Sequence, residues 1–70
     1  MNPHWIKCQT GWVRILRLDG GRYYVTATRH RAQTVFAGEL NLYVDELVRA
    51  LGGRALGETA QGIVDSLLRQ

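Results

Sequence analysis

Apolar and polar positions follow two different rhythms along this chain. From Trp12 to Thr28, two β-rich runs flank the pair Gly20-Gly21. Paired glycines suit a two-residue turn whose dihedrals need φ > 0, so this stretch predicts a β-hairpin. Closing the turn there pairs Asp19 with Arg22. Leu18 then faces Tyr23, Leu16 faces Val25, Arg14 faces Ala27 and Trp12 faces Arg29 on one side of the sheet. Arg17 faces Tyr24, Ile15 faces Thr26 and Val13 faces Thr28 on the other. The first side is the expected core, because Leu16, Leu18, Tyr23, Val25 and Ala27 gather there. The second mixes aliphatic, aromatic, hydroxyl and arginine side chains, as an interface does.

After a polar turn at Arg29-His30-Arg31, a third strand is expected at Gln33–Ala37, ended by Gly38. From Leu40 onward the period lengthens to about 3.6 residues. Leu40, Tyr43, Val44, Leu47, Val48 and Leu51 fall on one helical stripe, with Asn41 as the expected N-cap and Gly52-Gly53 as the stop. A second helix is expected over Glu58–Leu68, with Ala60, Ile63, Val64, Leu67 and Leu68 as its apolar set. The fold class is therefore α+β: a three-stranded antiparallel sheet followed by two helices packed on one face, β-β-β-α-α. Residues 1–70 read as one small domain, with an N-terminal segment over 1–10, the sheet over 11–38 and the helices over 39–70.

Charge changes this picture. Residues 1–31 carry Lys7, Arg14, Arg17, Arg22, Arg29 and Arg31 against Asp19 alone, a balance of +5. Residues 32–70 carry three arginines against Glu39, Asp45, Glu46, Glu58 and Asp65, a balance of −2. The basic part also holds Trp5, Trp12, Tyr23 and Tyr24, and arginine beside aromatics is the composition of a binding surface. Arginine outnumbers lysine eight to one, which favours planar, bidentate recognition of phosphate or carboxylate. The expected binding residues are Arg14, Arg17, Arg22, Tyr24, Thr26, Thr28, Arg29 and Arg31. Glu39, Asp45 and Glu46 form an acidic helix face as a second candidate surface.

Catalytic chemistry finds little support. Ser66 is the only serine and sits in an amphipathic helix. Cys8 with His4 or His30 would make a nucleophile and base, or three zinc ligands, but a small buried cysteine accounts for it and a structural zinc site wants four ligands. Asp45 and Glu46 are adjacent on a helix and point apart. No glycine pattern forms a phosphate loop. The expectation is a protein that is not an enzyme, with no catalytic residues, metal or cofactor. A lone cysteine makes no internal disulfide. No apolar run approaches the roughly 20 residues of a membrane span, and Met1–Thr10 lacks the apolar core of a signal peptide. A cytoplasmic location is expected. Richness in Arg, Gly, Ala and Leu with one Lys suggests a GC-rich bacterial or phage genome.

Several family likenesses follow. The run Tyr23-Tyr24-Val25-Thr26-Ala27, then Val35-Phe36-Ala37-Gly38, then a helix, is similar to AP2-type and integrase arm-type DNA-binding modules, which implies a sheet entering the major groove. The segment Leu51-Gly52-Gly53-Arg54 through Leu67 resembles the turn and second helix of ribbon-helix-helix repressors, but Val35, Phe36 and Ala37 lack the polar side chains base reading requires. As a class, a single small sheet-and-helix domain without a catalytic set resembles the inhibitors that phages and mobile elements direct at host defences, anti-CRISPR proteins among them. That resemblance implies stoichiometric docking on a larger protein or nucleoprotein complex. The other readings are a small DNA-binding module using the Arg/Tyr sheet, and a homodimer that hides Val13, Ile15 and Tyr24 in its own interface. The expected partner is thus a protein or nucleoprotein complex, with nucleic acid or a second copy as alternatives and no membrane.

Overall fold

The computed structural model describes residues 4–57 and 59–69. Four strands precede two helices: β1 (His4–Lys7), β2 (Trp12–Arg17), β3 (Arg22–Ala27), β4 (His30–Phe36), α1 (Ala37–Ala50) and α2 (Ala60–Leu68). The strands form one antiparallel meander in the order β1-β2-β3-β4. Both helices lie against one face, α1 across β2, β3 and β4, and α2 against α1 and β1. The class is α+β as expected, but the sheet has four strands, not three. The extra strand comes from the N-terminal segment, where His4-Trp5-Ile6-Lys7 pairs with Ile15-Arg14-Val13-Trp12. Ile6 and Cys8 point into the core while Trp5 and Lys7 point out, the alternation of a half-buried strand.

The β2–β3 hairpin departs from expectation by one residue. Arg17 pairs with Tyr23, Leu16 with Tyr24, Ile15 with Val25, Arg14 with Thr26 and Val13 with Ala27. The loop is the three residues Asp19-Gly20-Gly21, closed by the Leu18 amide donating to the Arg22 carbonyl at 2.9 Å, with both glycines at positive φ, 75° and 71°. A one-residue slip turns every side chain of β2 to the other face. Its physical reason is the core. It unites Val13 and Ile15 with Tyr23, Val25 and Ala27 under the helices, where all five are buried. Leu16 and Leu18, expected inside, become half-buried on the opposite face. Burying an aliphatic side chain is worth about 1.5–3 kcal/mol, and the β-branched pair gains it in full.

β4 begins at His30, so the expected turn contracts to Thr28-Arg29, with Arg29 at φ 71°. A register irregularity between Val25 and Ala27 absorbs the tight connection. At its other end β4 passes straight into α1. Phe36 is the N-cap, not Asn41, and it supplies no side-chain hydrogen bond. The Ala37 amide instead donates to the Gly21 carbonyl in the hairpin loop at 3.0 Å. Gly38 lies in the first turn of α1 and ends nothing. Asn41, freed from capping, donates to the Gln61 side chain at 2.8 Å, and Gln61 donates to Asp65 at 2.8 Å, tying α1 to α2. The expected helical stripe holds: Leu40, Val44, Leu47, Val48 and Leu51 are buried.

α2 starts two residues later than expected. Thr59 caps it, its hydroxyl oxygen accepting from the Gly62 amide at 3.1 Å; Glu58 lies outside the described residues. The helix-to-helix connection also covers the outer edge of β1, where Cys8 bridges Ala55 and the Leu56 amide donates to the Lys7 carbonyl at 2.7 Å.

Candidate binding face

The sheet face turned away from the helices carries the residues that look functional. Reading the registers across it gives four rows. Lys7, Trp12 and Thr28 make the first, Trp5, Arg14 and Thr26 the second, Leu16, Tyr24 and Thr34 the third, and Leu18, Arg22 and Phe36 the fourth. Each strand contributes one outward aromatic ring and each row contains one. Their exposures are those of surface groups: Trp5 52%, Trp12 45%, Tyr24 38% and Phe36 60%. Lone exposed apolar residues need no explanation, but four large rings on one face do.

Cations are built into the same face. The Arg14 guanidinium lies over the Trp5 ring, 5.4 Å from its centroid, and the Lys7 ammonium lies 5.7 Å from the centroid of Trp12. The two tryptophans meet edge to face, centroids 6.0 Å apart and planes at 89°, the geometry aromatic quadrupoles favour. Between Trp5, Trp12 and Thr28 lies a shallow depression of about 500 Å³. The Arg14 Nε is covered and has no hydrogen-bond partner among the described residues. Arg22 donates from Nε to the Asp19 carbonyl at 3.1 Å, which anchors it at the hairpin end. None of the four strands contains an Asp or Glu. Among the described residues the one salt bridge, Arg49 to Asp45 at 3.2 Å, lies on α1 in the other layer. Lys7, Arg14 and Arg22 therefore lie on this face without carboxylate partners among the described residues.

Of the eight binding residues expected from sequence, Arg14, Arg22, Tyr24, Thr26 and Thr28 come together here. Arg17 does not: it pairs with Tyr23 on the helix side. Arg29 occupies the β3–β4 turn, and Arg31 follows it at the register irregularity of the edge strand, exposed, its carbonyl accepting from the Tyr43 hydroxyl at 3.4 Å. Val13 and Ile15, expected on the binding face and in a dimer interface, are core. Sequence reasoning missed Trp5, Lys7, Trp12 and Phe36. The alternation Trp5-Ile6-Lys7-Cys8 was the available signal for two of them.

The acidic residues lie on the opposite layer. Glu39 and Glu46 are seven residues apart on α1, hence on one side two turns apart, while Asp45 projects elsewhere and is paired with Arg49. Of the expected acidic face of Glu39, Asp45 and Glu46, only Glu39 and Glu46 share a side of α1. Cys8 is buried, and desolvation raises its thiol pKa above the ordinary 9.0, the direction of an unreactive thiol. Among the described residues no three His, Cys, Asp or Glu side chains come together, and no helix is long and apolar enough to cross a membrane.

Comparison with family models, with curated proteins and with solved structures gives no match for this chain.

Proposed function

We propose that this chain is a non-enzymatic binding protein that docks stoichiometrically on a larger nucleoprotein or protein assembly, and that the outer face of its sheet is the working surface. The observation that carries this reading is the placement of one exposed aromatic on every strand, with Lys7, Arg14 and Arg22 beside them and no strand carboxylate. Trp, Tyr and Arg are the residues that dominate binding energy when a partner desolvates them. The scaffold suits the task, since a four-stranded sheet backed by two helices holds these side chains on rigid backbone. Occupying a target by surface alone is how small phage and mobile-element inhibitors of host defence act, the anti-CRISPR proteins included, and such a role fits this chain.

The experiment is affinity capture from a bacterial lysate with three baits: the natural chain, a Trp5→Ala/Trp12→Ala/Tyr24→Ala variant, and a Glu39→Gln/Glu46→Gln variant. The expected result is one stoichiometric partner, lost with the sheet variant and kept with the helix variant. The reverse pattern would move the working surface to α1.

A further inference from the structure

Resting on that reading of the outer face, we infer that what it recognises is an unpaired nucleic-acid strand, held by base stacking on Trp12, Trp5, Tyr24 and Phe36 with phosphates at Lys7, Arg14 and Arg22. Charge selects the partner. Three cations without carboxylate partners among the described residues, on strands that contain no acid, complement a polyanion. Carboxylates alone would satisfy the cations but not the four rings, whereas each nucleotide supplies both a π-face and a charge in one repeating unit.

Spacing selects the unpaired form. Adjacent rows of outward side chains lie two residues apart along a strand, about 6.8 Å, roughly twice the 3.4 Å per residue of a stacked strand. A base meeting each row must therefore be pulled away from its neighbours, which a duplex does not allow. Breadth also keeps the sheet from entering a duplex groove. Four strands at about 4.8 Å put the outermost strand axes about 14 Å apart before side chains are counted, wider than the ~12 Å major groove. In row order the rings lie on β2, β1, β3 and β4, so Trp12 with Trp5 and Tyr24 with Phe36 sit on neighbouring strands and neighbouring rows, giving two pairs of adjacent base positions. Three of the four rows set a cation in the same row as the ring: Lys7 with Trp12, Arg14 with Trp5 and Arg22 with Phe36. The hydroxyls of Thr26 in the second row and Thr34 in the third are uncharged donors to phosphate or sugar, while that of Thr28 is engaged by the Trp12 backbone, donating to its carbonyl at 3.4 Å.

The test uses the full chain and labelled oligo-dT and oligo-rU of about twelve nucleotides, within the site sizes of known single-strand binders. Binding is read by anisotropy of the label and quenching of tryptophan fluorescence, with a mixed-sequence duplex of equal length as comparison. Expected are saturable binding with quenching, weaker binding of duplex, and a loss of about fifteen- to twentyfold in affinity between 50 and 200 mM salt for three single-strand phosphate contacts. Trp5→Ala and Trp12→Ala should each lose at least fivefold, while Trp5→Phe keeps most of the binding. Both rings are exposed, and circular dichroism confirms the fold of each variant. Failure of either oligonucleotide to bind at 50 mM salt, or duplex binding as tightly as single strand, overturns the inference. If the same sheet variant still loses a partner captured from nuclease-treated lysate, the outer face works on a protein and only this inference falls. If sedimentation shows a dimer at micromolar concentration that the Trp5 and Trp12 variants dissociate, a second copy is the occupant and the inference likewise falls. Oligonucleotide binding unaffected by the Trp5, Trp12 and Tyr24 variants overturns both the inference and the outer-face reading.

Discussion

Arg14 stacks over Trp5 across the β1–β2 register, its guanidinium carbon 5.4 Å from the ring centroid, while its Nε is covered and unpaired among the described residues. The contact binds the N-terminal strand to the hairpin on the one face that the helices leave open. It also fixes a cation beside an exposed ring, so the same pair serves packing and recognition.

Arg14→Ala should therefore separate the two roles. A cation–π contact is worth about 0.5–1 kcal/mol when exposed and about 2 when desolvated, so for the half-buried Arg14 urea unfolding should show a loss between those limits. Oligonucleotide affinity should fall severalfold, and Arg14→Lys should restore charge but not the planar stack, recovering only part of it. A stability loss several times larger, with affinity unchanged, would make Arg14 a purely structural residue.

The hairpin register makes an opposed pair of predictions. Ile15 is fully buried and Leu16 lies half-buried on the outer face. Ile15→Ala should cost about 2–5 kcal/mol, the usual range for emptying a core site, whereas Leu16→Ala should cost well below that. A two-residue turn at Gly20-Gly21 reverses the order, so unfolding of these two variants discriminates the registers directly.

That register shows where sequence reasoning reaches its end. A helical stripe is a local property, and Leu40, Val44, Leu47, Val48 and Leu51 were legible because their spacing alone puts them on one side of α1. The start of α1 was not legible, because the Ala37 amide is satisfied by the Gly21 carbonyl, sixteen residues back in the chain, and Phe36 has no oxygen to signal a cap. Gly20-Gly21 marked a turn but not its length. Adding Asp19 to the loop costs little locally and is decided by whether Val13 and Ile15 reach the helices. The candidate site inherited that slip: Arg22, Tyr24, Thr26 and Thr28 were named as binding residues and lie together on the outer face, Arg14 was named with them although the expected register turned it, like Trp12, to the core side, and Arg17 was expected outward and is not. β1 was lost for another reason, since four residues make a strand only when β2 is there to pair with them.

The junction after α1 depends on a glycine in a way its neighbour does not. Gly52 has φ 129°, and a Cβ there would run into the Cβ of Gln9 in the β1–β2 loop. That loop is docked by the Thr10 amide and hydroxyl, both donating to the Leu51 carbonyl at 2.8 Å. Gly53 has φ 90° but open space around it. Gly53→Ala should cost about 1–2 kcal/mol from backbone strain alone, and Gly52→Ala about 3 kcal/mol or more, because strain and overlap combine. Equal losses in chemical denaturation would show that the loop yields to the new methyl group.

Cys8 supplies a pH dependence whose direction follows from its burial. Desolvation raises the thiol pKa in the folded protein above the ordinary 9.0, so the native state holds this proton more tightly than the unfolded chain does. The contribution to stability is whole below the unfolded pKa and is lost as pH rises through the folded one. The window is therefore alkaline, opening near pH 9, and neutral or acidic titration leaves it untouched. The difference in unfolding free energy between the natural chain and Cys8→Ala should stay constant up to about pH 8 and narrow above it, a comparison that cancels the tyrosines common to both. Iodoacetamide gives a second readout, since the thiolate is the reactive form. Alkylation of the native chain should be slow at pH 8 and accelerate sharply in denaturant. Alkylation of the native protein at the rate of a free cysteine would mean that Cys8 opens to solvent, and with it the bridge to Ala55 that closes the edge of β1.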